Sequence, residues 1–211
     1  MDRKLFLIIA SFIVLVGMGT VLAEISVGVK KGDWIEYQVT FTGTPPGRHD
    51  VTWARMEIMN VQGKSINLDI TTEFSNETLL NETITLNLDT GQLGDDFIIP
   101  ANLNSGDTFF DKNAGNITIS GSEERTYAGA TRIVVYAATP QTTYYWDKAI
   151  GVLVEGTSAF TNYTMNTKVD KTNMRQPQIL GLDPTVFYAV VVGAALVIAA
   201  VIAFITVRRK K

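Results

Sequence analysis

The sequence predicts a mainly β fold: an antiparallel meander of about ten or more strands, forming a curled sheet, an open barrel or a sandwich, plus one C-terminal transmembrane helix. Three observations predict it. Apolar and polar residues alternate with a period of two along much of the stretch from 24 to 173, and turn-forming residues recur about every 8 to 15 positions. No segment ahead of Pro184 keeps a helical period over about ten residues.

The clearest strand is Asp33–Thr42, where Ile35, Tyr37, Val39 and Phe41 alternate with Glu36, Gln38 and Thr40 while Trp34 falls on the opposite face. Ile66, Leu68 and Ile70 around Asn67 and Asp69 repeat the pattern, as do Ile84, Leu86 and Leu88 around Thr85 and Asn87. Weaker segments are Val51–Val61, Phe97–Ile99, Thr108–Phe110, Ile117–Ile119, Arg125–Tyr127, Thr131–Ala138, Thr142–Trp146, Val152–Glu155 and Phe160–Val169. Turn chemistry divides them at Thr44-Pro45-Pro46-Gly47, Gln62-Gly63, Asp89-Thr90-Gly91, Gly106-Asp107, Ala114-Gly115-Asn116, Ala128-Gly129 and Asp147-Lys148-Ala149-Ile150-Gly151. Hairpin-length links favour a meander over crossovers, and so wide a meander tends to curl. The 22 threonines between 24 and 183 suit solvent-facing strand sites.

The two ends read differently. Residues 1–23 have the plan of an export signal or an uncleaved anchor: Arg3 and Lys4 precede the uncharged Leu5–Val16, and Val21-Leu22-Ala23 offers small residues for cleavage before Glu24. The segment 185–207 contains the 22-residue uncharged run Val186–Val207, bounded by Asp183-Pro184 and by the basic tail 208–211. The expected plan is an extracellular β domain at 24–173, a juxtamembrane linker at 174–184, a membrane-spanning helix and a cytoplasmic tail. It places the protein in the cell membrane as a single-pass component with its N-terminal domain outside. Small residues at Ala189/Gly193 and at Ala195/Ala199/Ala203 have the spacing of a helix-pairing face, and so of a homodimer.

Composition closes several chemistries. The chain has 211 residues, no cysteine and one histidine, which excludes disulfide frameworks, thiolate nucleophiles and cysteine-zinc sites. Between 24 and 183 there are 12 Lys+Arg against 20 Asp+Glu, a net of −8, and such an acidic domain is a poor partner for nucleic acid. His49 lies between Arg48 and Asp50 in a turn and reads as a solvated side chain. Asp95-Asp96, with Asp89, supplies oxygen ligands without the ladder of a calcium loop, and Glu123-Glu124 reads as a solvated pair. No Gly-rich phosphate loop is present. The expectation is no enzyme, no metal and no cofactor.

What remains is four Asn-x-Ser/Thr sequons, at Asn76, Asn81, Asn116 and Asn162, and a set of aromatics. Trp34, Trp53, Tyr144 and Trp146 are candidates for a ligand or partner surface, with Tyr144 and Trp146 on one strand face and Tyr145 on the other. Three segments carry a resemblance: Gly28-Val29-Lys30-Lys31-Gly32-Asp33-Trp34-Ile35-Glu36-Tyr37, Ile99-Pro100-Ala101-Asn102-Leu103-Asn104-Ser105-Gly106-Asp107 and Tyr144-Tyr145-Trp146-Asp147-Lys148-Ala149-Ile150-Gly151-Val152-Leu153-Val154-Glu155. In that order they resemble archaeal envelope proteins with a signal sequence, a β ectodomain and one C-terminal helix. The last segment also resembles hairpins of the LolA/LolB-type lipoprotein carriers. The resemblance implies the same plan of signal, β ectodomain and anchor, and the sequence as a whole is read as a membrane-tethered cell-surface glycoprotein with a non-enzymatic binding or structural role toward envelope proteins, surface polymers or lipid. The alternative is a carrier or sensor holding an apolar ligand on its curled sheet, and a third reading is an envelope hydrolase. The carrier requires an open sheet face lined by Met56, Met59 and tryptophans, whereas a filled core of Ile, Leu and Val argues against it.

Overall fold

The computed structural model describes residues 25–91, 97–112, 114–174 and 187–197, with the side chain of Arg48 left aside. Eleven strands follow one another: β1 (Trp34–Gly43), β2 (Val51–Gln62), β3 (Ser65–Phe74), β4 (Leu79–Asn87), β5 (Thr108–Asp111), β6 (Gly115–Thr118), β7 (Gly121–Tyr127), β8 (Ala130–Ala138), β9 (Thr142–Asp147), β10 (Leu153–Ala159) and β11 (Tyr163–Thr172). Nine of them form one antiparallel sheet in the order β4-β3-β2-β1-β11-β10-β9-β8-β7, and β5 and β6 make a separate hairpin. Two runs of the meander are therefore joined at the middle, where β1 pairs with β11.

The sheet is open, with β4 and β7 at its edges. A two-sheet sandwich is not formed, because the second sheet is only the β5–β6 hairpin. Phe97–Ile99, expected as a strand, contributes a single bridge from Ile98 to Val152. Its neighbour Pro100 has no N–H to extend a ladder.

Alternation decides which face is buried. Cross-strand partners share a face, so the register places Ile35, Met56 and Ile70 together on one side, and Tyr37, Ala54 and Thr72 beside them. On the other side Glu36, Arg55 and Thr71 form a polar row, continued by Lys171 on β11. β1 shows the rule: Ile35, Tyr37 and Val39 are buried while Gln38 and Thr40 are exposed.

The main core covers the apolar face at one end of the strands. Ile35, Tyr37, Met56, Ile58, Ile66, Leu68, Leu86 and Val169 pack there against Val29 and Ile98 from two segments that are not strands. These segments are tied to the sheet by backbone bonds: the Leu153 N–H donates to the Phe97 carbonyl at 2.8 Å, Ile99 N–H to Gly151 at 2.9 Å and Ala101 N–H to Ser26 at 2.8 Å. A second core of Val135, Ala137, Trp146 and Leu153 lies under the hairpin residues Phe109 and Ile117.

The single-pass location in the cell membrane is corrected by the helix at the C-terminal end. Among the described residues no helix is long and apolar enough to cross a membrane. The helical residues described are 187–197, and eleven residues at about 1.5 Å each rise roughly 16 Å, about half of a hydrocarbon core of ~30 Å. The rest of the 185–207 segment, the export segment 1–23, the linker from 175 onward and the tail 208–211 lie outside the described residues. Of the small-residue positions, Ala189, Gly193 and Ala195 fall in the helix, whereas Ala199 and Ala203 are outside the described residues.

Candidate functional site

Burial of the apolar face fades along the strands, and this gradient locates the site. On β3, Ile66 and Leu68 are fully buried, but Ile70, Thr72 and Phe74 are only half-buried. Antiparallel β4 shows the same trend at the paired positions: Leu86 is buried, Ile84 half-buried, Glu82 exposed and Leu80 45% exposed. β1 and β11 repeat the trend with half-buried Phe41 paired to half-buried Met165. The covering segments 25–29 and 97–99 reach only the other end, so hydrocarbon is left in contact with water.

The covered end is filled. Phe97 lies 5.9 Å from the Tyr37 ring, and the gap they leave with Ala54, Met56 and Ile70 is about 10 Å³. That volume holds about one water. Tyr37 is locked there by donating its hydroxyl to the Leu153 carbonyl at 2.9 Å, and burial pushes its ionisation far above the ordinary tyrosine range.

At the open end the loops between β1 and β2 and between β10 and β11 meet. They border an open groove of about 500 Å³ with Thr44, Pro45, Pro46, Gln141, Phe160 and Tyr163 among its walls. Gly43 pairs with Tyr163, so Tyr163 belongs to the same face as Met165 and Phe41. Its ring stacks on Phe160 at 4.4 Å and 14°. The imidazole of His49 stands edge-on to both, at 5.4 Å from Phe160 and 5.8 Å from Tyr163, and a ring nitrogen is hydrogen-bonded to the Tyr163 hydroxyl. His49 is exposed, as the sequence predicts, and is in addition part of a three-ring cluster. The three residues lie 111 or more positions apart in pairs across two turns except for Phe160 and Tyr163, and only the β1–β11 pairing brings them together.

The aromatics singled out from sequence lie elsewhere. Trp34 sits on the polar face beneath the Arg55 guanidinium, 4.5 Å from its centroid, and Trp53 pairs with Gln38 on that same face. Tyr144 and Trp146 share a face as expected, stacked at 5.1 Å, but Trp146 is fully buried against Phe109 and is not open to a ligand. Tyr145 takes the opposite face, with the Arg125 guanidinium 3.8 Å from its ring centroid. Met56 belongs to the filled core, and Met59 is 42% exposed away from it.

The sequons are spread over the surface. Asn76, Asn81, Asn116 and Asn162 are all exposed. Asn76 caps its own turn by accepting from the Thr78 N–H at 3.0 Å, and Asn81, on the polar side of the edge strand β4, accepts from the Thr71 hydroxyl at 2.7 Å. Asn162 is on the wall of the groove.

Two polar clusters complete the inventory. On the polar face Glu155 accepts from the Tyr127 hydroxyl at 2.6 Å and pairs with Arg125 at 3.4 Å, which in turn binds Glu123 at 2.6 Å. Burial, then the bond to Glu155, push the Tyr127 hydroxyl well above its ordinary range, while the guanidinium of Arg125 is held more firmly charged by Tyr127 first. In the interior Arg132 and Asp147 form a 2.8 Å ion pair, both essentially without solvent contact. Asp89 pairs with Lys64 at 2.8 Å, and Asp95-Asp96 lie outside the described residues. Among the described residues no three His, Asp or Glu side chains are grouped to hold a metal ion.

The chain matches no family model and no curated protein, so the resemblance to archaeal envelope proteins gains no sequence-family support. The architectural likeness to LolA/LolB-type carriers is compatible with an open antiparallel sheet. Among solved structures the chain is similar to the siderocalin Ex-FABP, whose structure is described as functioning through dual ligand specificities. That match has 11% identity over 75% of this chain and 80% of that one, with a TM-score of 0.24.

Proposed function

We propose that the protein is a non-enzymatic binding protein that carries an apolar or amphipathic ligand on the open end of its sheet face. The observation that supports it is the burial gradient: the same apolar face is sealed beneath Phe97 and Ile98 and left in contact with water at Phe41, Phe74 and Leu80. Leaving such residues uncovered forgoes roughly 25 cal/mol per Å² of apolar surface, and a ligand recovers it. Because the covered end has no chamber, the ligand lies across the strands rather than inside a closed barrel.

The test is displacement of an environment-sensitive apolar fluorophore, 1-anilinonaphthalene-8-sulfonate, by single-chain amphiphiles on the full chain. Leu80→Asp is the variant of choice: Leu80 is already substantially exposed, and a surface substitution costs about 0.5 kcal/mol or less. The expected result is saturable displacement in the wild type and at least about a fivefold loss of affinity in Leu80→Asp, the removal of one apolar side chain being worth ~1 kcal/mol or more. Equal binding by the two proteins overturns the placement of the ligand, and absence of displacement overturns the function.

A further inference from the structure

We infer that the groove at the open rim is a binding site for a neutral saccharide. This rests on the groove itself and not on the apolar-face reading. Its volume, about 500 Å³, lies within the roughly 300–1,000 Å³ of small-ligand sites. Among the described side chains lining it none is charged, although the chain as a whole carries −3 and the polar sheet face is studded with Glu36, Arg55, Glu57 and Lys171. A carboxylate or phosphate ligand would find hydroxyl and amide donors but no positive charge among these side chains, and a cationic one no counter-charge. The ligand that suits the lining is neutral.

The shape of the lining narrows the class further. Phe160 and Tyr163 form a flat, prefixed platform: the rings are stacked, the Phe160 N–H donates to the Tyr163 carbonyl at 2.9 Å, and His49 pins the Tyr163 hydroxyl. Beside it the amides of Gln141 and Asn162 make no side-chain hydrogen bond to any described residue and are left as donors and acceptors. A sugar ring offers the complement of this arrangement, an apolar C–H face for an aromatic plane and a rim of hydroxyls for amides. A proline-rich peptide could also lay its rings on the aromatic plane, but it offers the two amides mainly carbonyl acceptors, whereas sugar hydroxyls both donate and accept, so the peptide is the comparison in the test. Two sources can supply the sugar, since Asn162 is itself the acceptor position of Asn162-Tyr163-Thr164: a free oligosaccharide, or one attached to this chain.

The experiment titrates the full chain, produced in a host without N-glycosylation, with maltohexaose, cellohexaose, chitohexaose and mannohexaose by calorimetry, with a proline-rich decapeptide as the comparison. We expect at least one hexasaccharide to bind with a Kd of about 1 mM or tighter. Tyr163→Ala, which removes the platform, is expected to weaken it about tenfold or more, and Gln141→Ala about threefold, whereas Tyr163→Phe, which loses only the His49 bond, keeps the platform and most of the affinity. Gln141 is exposed, so its variant reports even where Tyr163→Ala does not fold. Absence of binding to every hexasaccharide, affinity unchanged in Tyr163→Ala and Gln141→Ala, or preference for the peptide overturns the site. Intact mass of the chain from an N-glycosylating host then separates the sources: sugar on Asn162 with loss of hexasaccharide binding makes the attached glycan the occupant, and hexasaccharide binding kept by chain from that host, with Asn162 bare or glycosylated, makes it a free saccharide. Neither result depends on Leu80 or on fluorophore displacement, so this site and the apolar face stand or fall separately.

Discussion

Arg132 and Asp147 face one another from β8 and β9 with almost no solvent contact, 2.8 Å apart, and each has a further task. Arg132 also donates to the Met174 carbonyl at 3.0 Å, and Asp147 accepts from the Ala149 N–H at 2.9 Å, so the pair fastens the end of β11 to the β9–β10 turn. Removing one member leaves the other buried and uncompensated. Arg132→Met is expected to cost about 3–5 kcal/mol in urea unfolding, and replacing both members by apolar residues is expected to recover a large part of it. The tyrosines give a second expectation at this scale. Tyr37 and Tyr127 are held neutral by burial, above the ordinary value near 10. The stability this contributes is complete below about pH 10 and is lost as pH rises toward their folded values, because the unfolded chain releases those protons first. Of the seven tyrosines, these two should ionise at 295 nm only together with the loss of the β signal in circular dichroism. Period-two alternation exposed Tyr37 as a core residue in the sequence. It gave no hint of Arg132, a charged residue on the buried face of β8 between Ala130 and Val134, while apolar Ile133 faces solvent.

At the scale of elements, strands with one buried face were legible and segments that pack without pairing were not. β1, β3 and β4 follow from alternation alone. Phe97–Ile99 reads as a strand because its residues are apolar, yet Ile98 and Ile99 are buried with a single bridge to Val152 and no ladder. Apolarity without alternation does not separate the two cases. The contact that seats it is specific. Gly151 has φ +72°, and a Cβ there would stand 2.1 Å from the Ile99 carbonyl oxygen. Gly151→Ala therefore combines backbone strain with a clash against main chain, and a loss of about 2 kcal/mol or more in thermal or urea unfolding is expected. Gly63, at φ +57° with open space around it, should lose only the strain part, about 1 kcal/mol, when changed to alanine.

For the whole molecule the pairing of β1 with β11 is the organising fact. It places the two turns that carry His49 and Phe160–Tyr163 on one rim and gives the site two unlike parts, an uncovered apolar face and an uncharged groove. The individual strands could be read along the chain, but the sites depend on the partner order in the sheet. Register over a separation above one hundred residues leaves no local signal in one sequence. The aromatic residues conspicuous in the sequence went to packing: Trp146 under the hairpin and Trp34 under Arg55. Those at the rim stand beside Pro45 and Pro46, which read first as a turn, and Asn162, which reads first as a glycosylation position.

The central claim is that the open end of the sheet face holds an apolar ligand. Native mass spectrometry of the full chain, mixed with a single-chain amphiphile and compared before and after denaturation, tests it most directly, with Leu80→Asp run alongside. The account predicts a discrete non-covalent adduct on the folded wild type that is lost on denaturation and is reduced at least about fivefold in the variant. A spectrum of bare polypeptide at every amphiphile concentration, or an adduct that Leu80→Asp leaves unchanged, contradicts it.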